Sequence, residues 1–190
     1  MGTEQLNRRK YLRQYHQKQR LDLAETLWQK QSQLICQNLG SWQIFQAAPV
    51  IFNFSAHKKE PDLAPLVRKF PDKIWALPRC YQDQIQFHSL TPEIDLLPNA
   101  WGILEPPPHA PVIFPDRATL CLVPGIVFDR RGYRLGSGRG YYDRFFANHP
   151  ACLKVGVLLS QFLIDDAFPQ TWDVKMDYLA HDRSVDPVQN

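Results

Sequence analysis

The sequence predicts an α/β fold: a single three-layer α/β/α domain with a mainly parallel sheet, preceded by N-terminal helices. Short apolar runs rich in β-branched residues alternate with helix-forming segments, which is typical of this class. Several runs are apolar throughout, as expected for strands buried on both faces. The 190 residues hold no repeat and no linker that would separate two domains. We therefore place residues 1–190 in one domain, with a helical segment at about 4–39 and an α/β core at about 49–180.

The N-terminal segment, residues 4–39, predicts helix because it contains good helix formers, no proline and no glycine. Apolar residues recur along its second half at helical spacing. Asp22 followed by Glu25 is a capping pattern that would start a second helix. We therefore expect the segment to divide near Arg20.

The remaining elements follow from short apolar runs and from prolines. Residues 61–70 and 141–150 predict helices, and residues 106–115, with five prolines, predict an extended loop. Strands are predicted for "PVIFNF" (49–54), "KIWALPR" (73–79), "QIQFHSL" (84–90), "TLCLVPGIVFD" (119–129) and "CLKVGVLL" (152–159).

Composition narrows the class of partner and the compartment. The net charge of +3, from 22 basic and 19 acidic residues, is too mild to indicate nucleic-acid binding. No apolar run approaches the roughly 20 residues of a membrane helix, and the N-terminus lacks the apolar stretch of a secretory signal. We expect a cytoplasmic monomer with no membrane or nucleic-acid partner. The four cysteines have no zinc-ligand spacing, so we expect free thiols at Cys36, Cys80, Cys121 and Cys152.

The stretch "YRLGSGRGYYDRFF" (residues 133–146) has the features of an anion-binding loop. Gly136, Gly138 and Gly140 let backbone amides approach a ligand closely, and two arginines add donors suited to phosphate. A helix beginning near Tyr141 would point its free amides at the same space. The spacing G-x-G-x-G matches neither the dinucleotide fingerprint nor the Walker loop. The alternative is a glycine-rich turn that only reverses the chain, and spacing alone does not decide between them.

Asp143 follows this loop in the predicted first turn of a helix. A carboxylate there interacts favourably with the helix dipole, so one interpretation is helix stabilisation. The other is that Asp143 lies close to bound phosphate and holds magnesium, which prefers one or two carboxylates together with phosphate oxygens.

The segment "LVPGIVFDRRGYRLGSGRGYYDRFF" (122–146) resembles the signature of the 5-formyltetrahydrofolate cyclo-ligase family, also called 5,10-methenyltetrahydrofolate synthetase. That family has P-G-x-x-F-D followed by R-L-G-x-G-x-G-Y-Y-D, and the resemblance extends more loosely over nearly the whole chain. The fixed positions present are Pro124, Gly125, Phe128, Asp129, Arg134, Leu135, Gly136, Gly138, Gly140, Tyr141, Tyr142 and Asp143.

Four other places agree with the family pattern. "RKYLR" (9–13) resembles the basic helix that contacts nucleotide phosphates, with Arg9 where lysine is usual. "NFSAHKKEPDLAPLV" (53–67) resembles the folate-binding loop, with Glu60 at the position of its glutamate. "LPR" (77–79) and "WGILEP" (101–106) are family-like, which makes Arg79 and Glu105 plausible site residues and leaves Trp101 either there or in the core. "TWDVKMD" (171–177) resembles the C-terminal D-x-K-x-D stretch through Asp173.

The resemblance implies a role for each matching residue, ATP as co-substrate and magnesium as cofactor. Arg134 and Arg139 would be catalytic, and Asp143 and Asp173 would hold magnesium. The ATP-binding set would be Arg9, Lys10, Arg13, Arg134, Leu135, Gly136, Ser137, Gly138, Arg139, Gly140, Tyr141 and Tyr142. The folate-binding set would be Ser55, Glu60, Ser137, Gly138, Arg139, Gly140 and Tyr141.

The reaction that the resemblance implies closes a ring. The oxygen of the 5-formyl group takes the γ-phosphoryl group of ATP, the 10-nitrogen attacks the activated carbon, and phosphate leaves with formation of 5,10-methenyltetrahydrofolate. Such chemistry needs positioning and charge neutralisation more than a protein nucleophile. Two alternatives stay open: a phosphosugar- or coenzyme A-type enzyme on a similar scaffold, and a non-catalytic RNA-binding protein that uses the basic N-terminal helix.

Overall fold

A computed structural model of the chain describes residues 3–91 and 93–189. The helices are α1 (Thr3–Leu21), α2 (Glu25–Ser41), α3 (Gln43–Ala47), α4 (Ala64–Lys69) and α5 (Tyr141–Asn148), with a 3₁₀ turn at Ser160–Phe162. The strands are β1 (Val50–Phe52), β2 (Ile74–Tyr81), β3 (Gln84–Ser89), β4 (Leu97–Pro98), β5 (Leu104–Glu105), β6 (Val112–Ile113), β7 (Thr119–Pro124), β8 (Val127–Asp129), β9 (Arg134–Leu135), β10 (Leu153–Val157), β11 (Leu163–Ile164), β12 (Tyr178–Ala180) and β13 (Val185–Pro187).

An eight-stranded sheet with the order β13-β12-β10-β7-β1-β2-β3-β6 forms the centre of the fold. The five strands from β12 to β2 run parallel to one another. Strand β13 at one edge, and β3 and β6 at the other, pair antiparallel. The prediction of a mainly parallel sheet preceded by helices is therefore confirmed. A small sheet of β11, β8 and β9 and the β4–β5 hairpin lie outside it.

Two hydrophobic cores lie on opposite faces of the sheet, which gives the three layers. Along β7, Leu120 and Leu122 belong to one core, whereas Cys121 and Val123 belong to the other. The first core packs against α2, α3 and α4, and the second packs against Phe145 and Phe146 of α5. The alternation explains why the central strands are mostly apolar: both faces of the sheet are covered by helices.

The predicted strand 119–129 is wrong in one respect, because the chain leaves the main sheet after Pro124. Proline has no N–H to continue the ladder. Residues Val127–Asp129 turn into the small sheet instead. The ring of Phe128 then packs against the backbone of Gly125, where a Cβ would lie 2.9 Å from Cζ of that ring. The extended loop predicted at 106–115 likewise contains the short strand β6.

The break between α1 and α2 lies close to its predicted place, but the predicted cap is wrong. Ala24 occupies the N-cap position of α2, and no side chain caps it. The turn is held by a distant residue, because the Lys59 ammonium donates hydrogen bonds to the carbonyls of Leu21 and Leu23. This tertiary contact replaces the local one.

Two further expectations concern the cysteines and membranes. All four cysteines are free; Cys36, Cys121 and Cys152 are buried and Cys80 is half-buried, which confirms the prediction of free thiols. Among the described residues, no helix has the length and apolar character required to cross a membrane.

Gly156 in β10 provides a test of the packing between the main sheet and β8. A Cβ at this position would lie 2.8 Å from Cδ1 of Phe128 and 2.9 Å from Cδ2 of Leu179. We expect Gly156→Ala to lower the free energy of unfolding by about 1–3 kcal/mol, because the core would be overpacked. Urea denaturation measures the change. The control is Gly136→Ala, whose Cβ would meet nothing within 4 Å; equal stability loss in both variants would contradict the packing described.

Candidate functional site

A cavity of about 540 Å³ opens at the carboxyl ends of β1, β2 and β7, where parallel sheets usually bind ligands. Four parts of the chain surround it: one face of α1, the loop of residues 54–60 that follows β1, the β4–β5 hairpin, and residues 134–143. Residues 170–173 complete the lining. The volume is ordinary for a small-molecule site.

One face of α1 contributes a row of arginines. Arg9, Arg13 and Arg20 are four and seven residues apart, which puts them on the same side of the helix. All three line the cavity. Burial lowers the pKa of both Arg13 and Arg20, and the neighbouring Arg9 lowers that of Arg13 further. Lys10 is exposed on another side of the helix and does not line the cavity.

Arg9 and Asp173, which the sequence assigned to phosphate and to magnesium, bind each other. Nη1 of Arg9 donates to Oδ2 of Asp173 at 2.5 Å and to the carbonyl of Phe168 at 2.7 Å. The two side chains are only 8% and 6% exposed. The backbone N–H of Gln170 donates to the same carboxylate oxygen. This pair anchors α1 to the segment that precedes β12.

Arg134 and Asp143 form a second pair of the same kind. Nη2 of Arg134 lies 3.0 Å from Oδ1 of Asp143, and the backbone N–H of Val174 donates to that oxygen at 3.0 Å. Nη1 of Arg134 donates to the carbonyl of Val174. Since Val174 follows Asp173, the two predicted magnesium ligands lie beside one another, each with an arginine partner.

The glycine loop, residues 136–140, adopts the backbone that its composition predicts. Gly138 and Gly140 have φ values of 96° and 67°, in the left-handed region that favours glycine. Gly140 is the N-cap residue of α5. The loop is tied to α1 because Nε of Arg13 donates to the carbonyl of Gly136 at 3.0 Å. Ser137 is exposed and lines the cavity.

Arg139 and Trp101 meet across the cavity. The guanidinium carbon of Arg139 lies 4.5 Å from the centroid of the Trp101 ring, a cation–π contact. Trp101 sits between β4 and β5, is 46% exposed and lines the cavity, so it is not a core residue.

The remaining residues of the signature differ in position. Tyr141 and Tyr142 both line the cavity, and the Tyr141 hydroxyl donates to the carbonyl of Gln82. The Tyr142 hydroxyl is buried without a hydrogen-bond partner among the described residues, and burial raises its pKa well above the usual value. Leu135 is fully buried in the first core and does not line the cavity.

Glu60 lines the cavity from the loop that follows β1. Oε2 accepts a hydrogen bond from the backbone N–H of His57, and Oε1 lies 3.7 Å from Nη2 of Arg20. Its side chain is 19% exposed. Burial raises the pKa of Glu60 to about 7, although Arg20, the His57 amide and Lys58 act in the opposite direction.

Three other predicted residues surround this region. Ser55 lines the cavity and donates to the carbonyl of Leu104 at 2.6 Å. Glu105 also lines it, and its carboxylate accepts hydrogen bonds from the Asn99 amide and the Cys80 N–H. Arg79 lies behind Glu105, with 3.7 Å between Nη1 and Oε2, and does not line the cavity.

Asp143 and Asp173 are chemically suited to magnesium only together with another ligand. The described residues contain no group of three or more metal-ligating side chains. Oδ1 of Asp143 is bound by Arg134 and by the Val174 N–H, and its Oδ2 has no partner among the described residues. Both oxygens of Asp173 accept hydrogen bonds from Arg9, so Asp173 would hold a metal only by giving up one of these contacts. Two hard carboxylates completed by phosphate oxygens are a ligand set that magnesium accepts. The residues therefore fit a metal that arrives with a nucleotide.

Arg20 is one of the cavity residues that the sequence reasoning missed. Its signal was present, because Arg20 follows Arg13 by seven residues, two helical turns along the same face.

Comparisons with known proteins identify the family of the chain. The model of the "5-formyltetrahydrofolate cyclo-ligase family" matches residues 5–181. The chain belongs to this family. The family predicted from residues 122–146 is thereby confirmed.

Individual relatives give the same result at lower coverage. A probable 5-formyltetrahydrofolate cyclo-ligase of Schizosaccharomyces pombe is 35% identical over 101 residues, 46% of this chain and 50% of that protein. A mitochondrial 5-formyltetrahydrofolate cyclo-ligase of Arabidopsis thaliana is 36% identical over 113 residues, 50% of this chain and 41% of the relative. The chain spans about half the length of these curated relatives. The solved structure of Aquifex aeolicus 5,10-methenyltetrahydrofolate synthetase is similar with a TM-score of 0.82 at 29% identity, over 96% of this chain and 93% of that one.

The raised pKa of Glu60 predicts a pH-dependent effect of Glu60→Gln on stability. A carboxyl whose folded pKa exceeds its unfolded value stabilises the fold at low pH, and this stabilisation is lost as pH rises toward the folded pKa. The amide has no such loss, so we expect the variant to gain stability relative to the parent between pH 5 and pH 8, by on the order of 1–3 kcal/mol. Denaturant unfolding at both pH values measures it; a pH-independent difference would contradict the buried position of Glu60.

Proposed function

We propose that this protein converts 5-formyltetrahydrofolate to 5,10-methenyltetrahydrofolate with ATP, releasing ADP and phosphate. One observation carries the proposal: a single cavity joins an anion-binding loop and an arginine row to a buried carboxylate. An enzyme that phosphorylates a folate amide needs both halves within reach of each other. Membership of the family and the Aquifex aeolicus relative support the assignment.

The nucleotide half comprises the glycine loop, the start of α5 and α1. Free backbone N–H groups at the start of α5 and the positive end of its dipole favour phosphate. Arg13 and Arg9 are proposed to contact the nucleotide from α1. Lys10, which the family resemblance placed in the same set, lies outside the cavity and is not part of this proposal. Arg134 and Arg139 are proposed to neutralise charge as the γ-phosphoryl group is transferred, since Arg139 lies in the glycine loop and Arg134 just precedes it.

The folate half comprises Glu60, Ser55 and the exposed part of the glycine loop. A carboxylate is the acceptor that fits the amino and ring N–H donors of a reduced pteridine. Trp101, Tyr141 and Tyr142 provide flat surfaces beside the same space. This arrangement would bring the formyl oxygen toward the loop that holds the phosphates.

The proposed chemistry has two steps. The formyl oxygen attacks the γ-phosphorus and ADP leaves, which turns a poor leaving group into a good one. The 10-nitrogen then attacks the activated formyl carbon and gives up its proton, the C–O bond breaks, and phosphate departs with that proton. No nucleophilic side chain is required; the protein orients the groups and excludes water.

Magnesium, when bound, would neutralise the phosphate charge. Asp143 and Asp173 are the residues proposed to hold it, and their ion pairs with Arg134 and Arg9 orient the two carboxylates. We further propose that the protein acts as a cytoplasmic monomer on small molecules and without nucleic acid. The burial of Arg9 and Arg20 supports only the absence of a nucleic-acid partner, because neither side chain is free to contact a polynucleotide.

The defining experiment mixes purified protein with 5-formyltetrahydrofolate and MgATP and follows the ultraviolet absorbance of the methenyl product. We expect product formation that requires all three components. Folded protein that yields no product above the enzyme-free control would contradict the proposal.

Asp143→Asn tests the magnesium role. We expect the turnover number to fall by roughly 100-fold or more, the scale observed when one preorganised electrostatic group is removed from an active site. Circular dichroism should still report a folded protein. Asp72→Asn is the matched control, since Asp72 is exposed and does not line the cavity. Unchanged turnover in Asp143→Asn would leave Asp143 with only its helix-stabilising role.

A further inference from the structure

Arg20 is the most deeply buried arginine of the cavity, with only 3% of its surface exposed. Its guanidinium connects two separate loops, the one that follows β1 and the one that follows β7. Nε donates to the carbonyl of Lys58 at 2.9 Å, and Nη1 donates to the carbonyl of Gly125 at 2.8 Å. Nη2 faces Glu60 at 3.7 Å. A buried guanidinium with this many partners fixes the geometry around it.

The loop that Arg20 binds has an unfavourable backbone. Lys58 and Lys59 are consecutive non-glycine residues with φ values of 50° and 56°. Such conformations cost free energy and persist only where surrounding contacts hold them. Here the contacts come from the first two helices: Arg20 holds the Lys58 carbonyl, the Lys59 ammonium holds the end of α1, and Trp28 donates to the Glu60 carbonyl at 2.8 Å.

The charges around Glu60 come from several elements. Positive charge comes from Arg20 of α1 and from Lys58 of the loop itself, and the backbone N–H of His57 donates a hydrogen bond to the carboxylate. Tyr142 of α5 lines the same cavity and carries a neutral hydroxyl whose pKa the Glu60 charge raises further. Of these groups, Arg20 opposes the effect of burial on the Glu60 pKa most strongly. Its loss would therefore favour the neutral carboxyl.

We infer that Arg20 is a positioning residue for the folate half of the cavity, which it serves by holding residues 58–60 and by presenting its positive charge to Glu60. This role rests on the proposed function, and Arg20 acts through Glu60. The nucleotide half is held by Arg13, two turns earlier on α1, through a different contact. Removal of Arg20 should accordingly weaken the use of the folate far more than that of MgATP.

The variants Arg20→Met and Arg20→Lys separate charge from geometry, with exposed Arg117→Met as control. The chain has five glutamates (Glu4, Glu25, Glu60, Glu93 and Glu105), so carbon-13 labelling of glutamate resolves the Glu60 carboxyl, assigned with Glu60→Gln. We expect the Glu60 pKa to rise by about one unit in Arg20→Met, because a facing positive charge is lost. In Arg20→Lys and Arg117→Met it should stay close to the parent value.

Steady-state kinetics supply the second readout. We expect kcat/KM for 5-formyltetrahydrofolate at pH 7 to fall roughly 10–100-fold in Arg20→Met, and the KM for MgATP to change less than about twofold. In a plot of kcat/KM for 5-formyltetrahydrofolate against pH, the acid limb should shift to higher pH in Arg20→Met. Arg20→Lys should keep the parental acid limb but lose part of kcat/KM, because one ammonium cannot reproduce the fork to two carbonyls.

The outcomes are separable. A parent protein that forms no methenyl product overturns the proposed function. Two results overturn the role of Arg20 even when the parent protein forms product. One is an unchanged Glu60 pKa in Arg20→Met, and the other is an equal loss of kcat/KM for the folate and for MgATP in that variant. Should Arg20→Met not fold, Arg20→Lys decides: parental kcat/KM for the folate in that variant overturns the inference.

Discussion

The contact of α1 with the loops at the carboxyl ends of the strands is the constraint on which the rest of the site depends. A parallel sheet alone offers a row of loops open to solvent. Here α1 reaches Asp173 through Arg9, the glycine loop through Arg13, and the Glu60 loop through Arg20. The helix converts that open edge into an enclosed cavity.

Two of the cavity's arginines form ion pairs with aspartates, and the aspartate of each pair is also a proposed magnesium ligand. Arg9 and Arg134 neutralise the two aspartates in the absence of ligand, which avoids the cost of burying unpaired charges. Glu60 is the exception, since burial outweighs its partners and raises its pKa to about 7. A carboxyl group whose pKa lies near 7 is only partly ionised at neutral pH, so a bound ligand or a neighbouring charge changes its protonation state.

Much of this could be predicted from the sequence, for reasons that differ between residues. Local signals found the strands β1, β2, β3, β7 and β10, the helix α5, and the glycine loop, where composition and backbone conformation agree at Gly138 and Gly140. They missed short strands such as β12 and β13. The family signature gave the residues of the site but not their partners. Local patterns do not contain tertiary contacts: the Lys59 cap between helices, the departure of the chain from the sheet after Pro124, and the pairing of Arg9 with Asp173 all depend on the assembled fold.

We propose that one cavity receives both the nucleotide and the folate. A crystal structure with magnesium, a non-hydrolysable ATP analogue and 5-formyltetrahydrofolate tests this proposal. We expect triphosphate oxygens at residues 136–140 and the start of α5, the pteridine beside Glu60, and the formyl oxygen facing the terminal phosphate. A nucleotide bound outside this cavity, or a folate remote from Glu60, would contradict it.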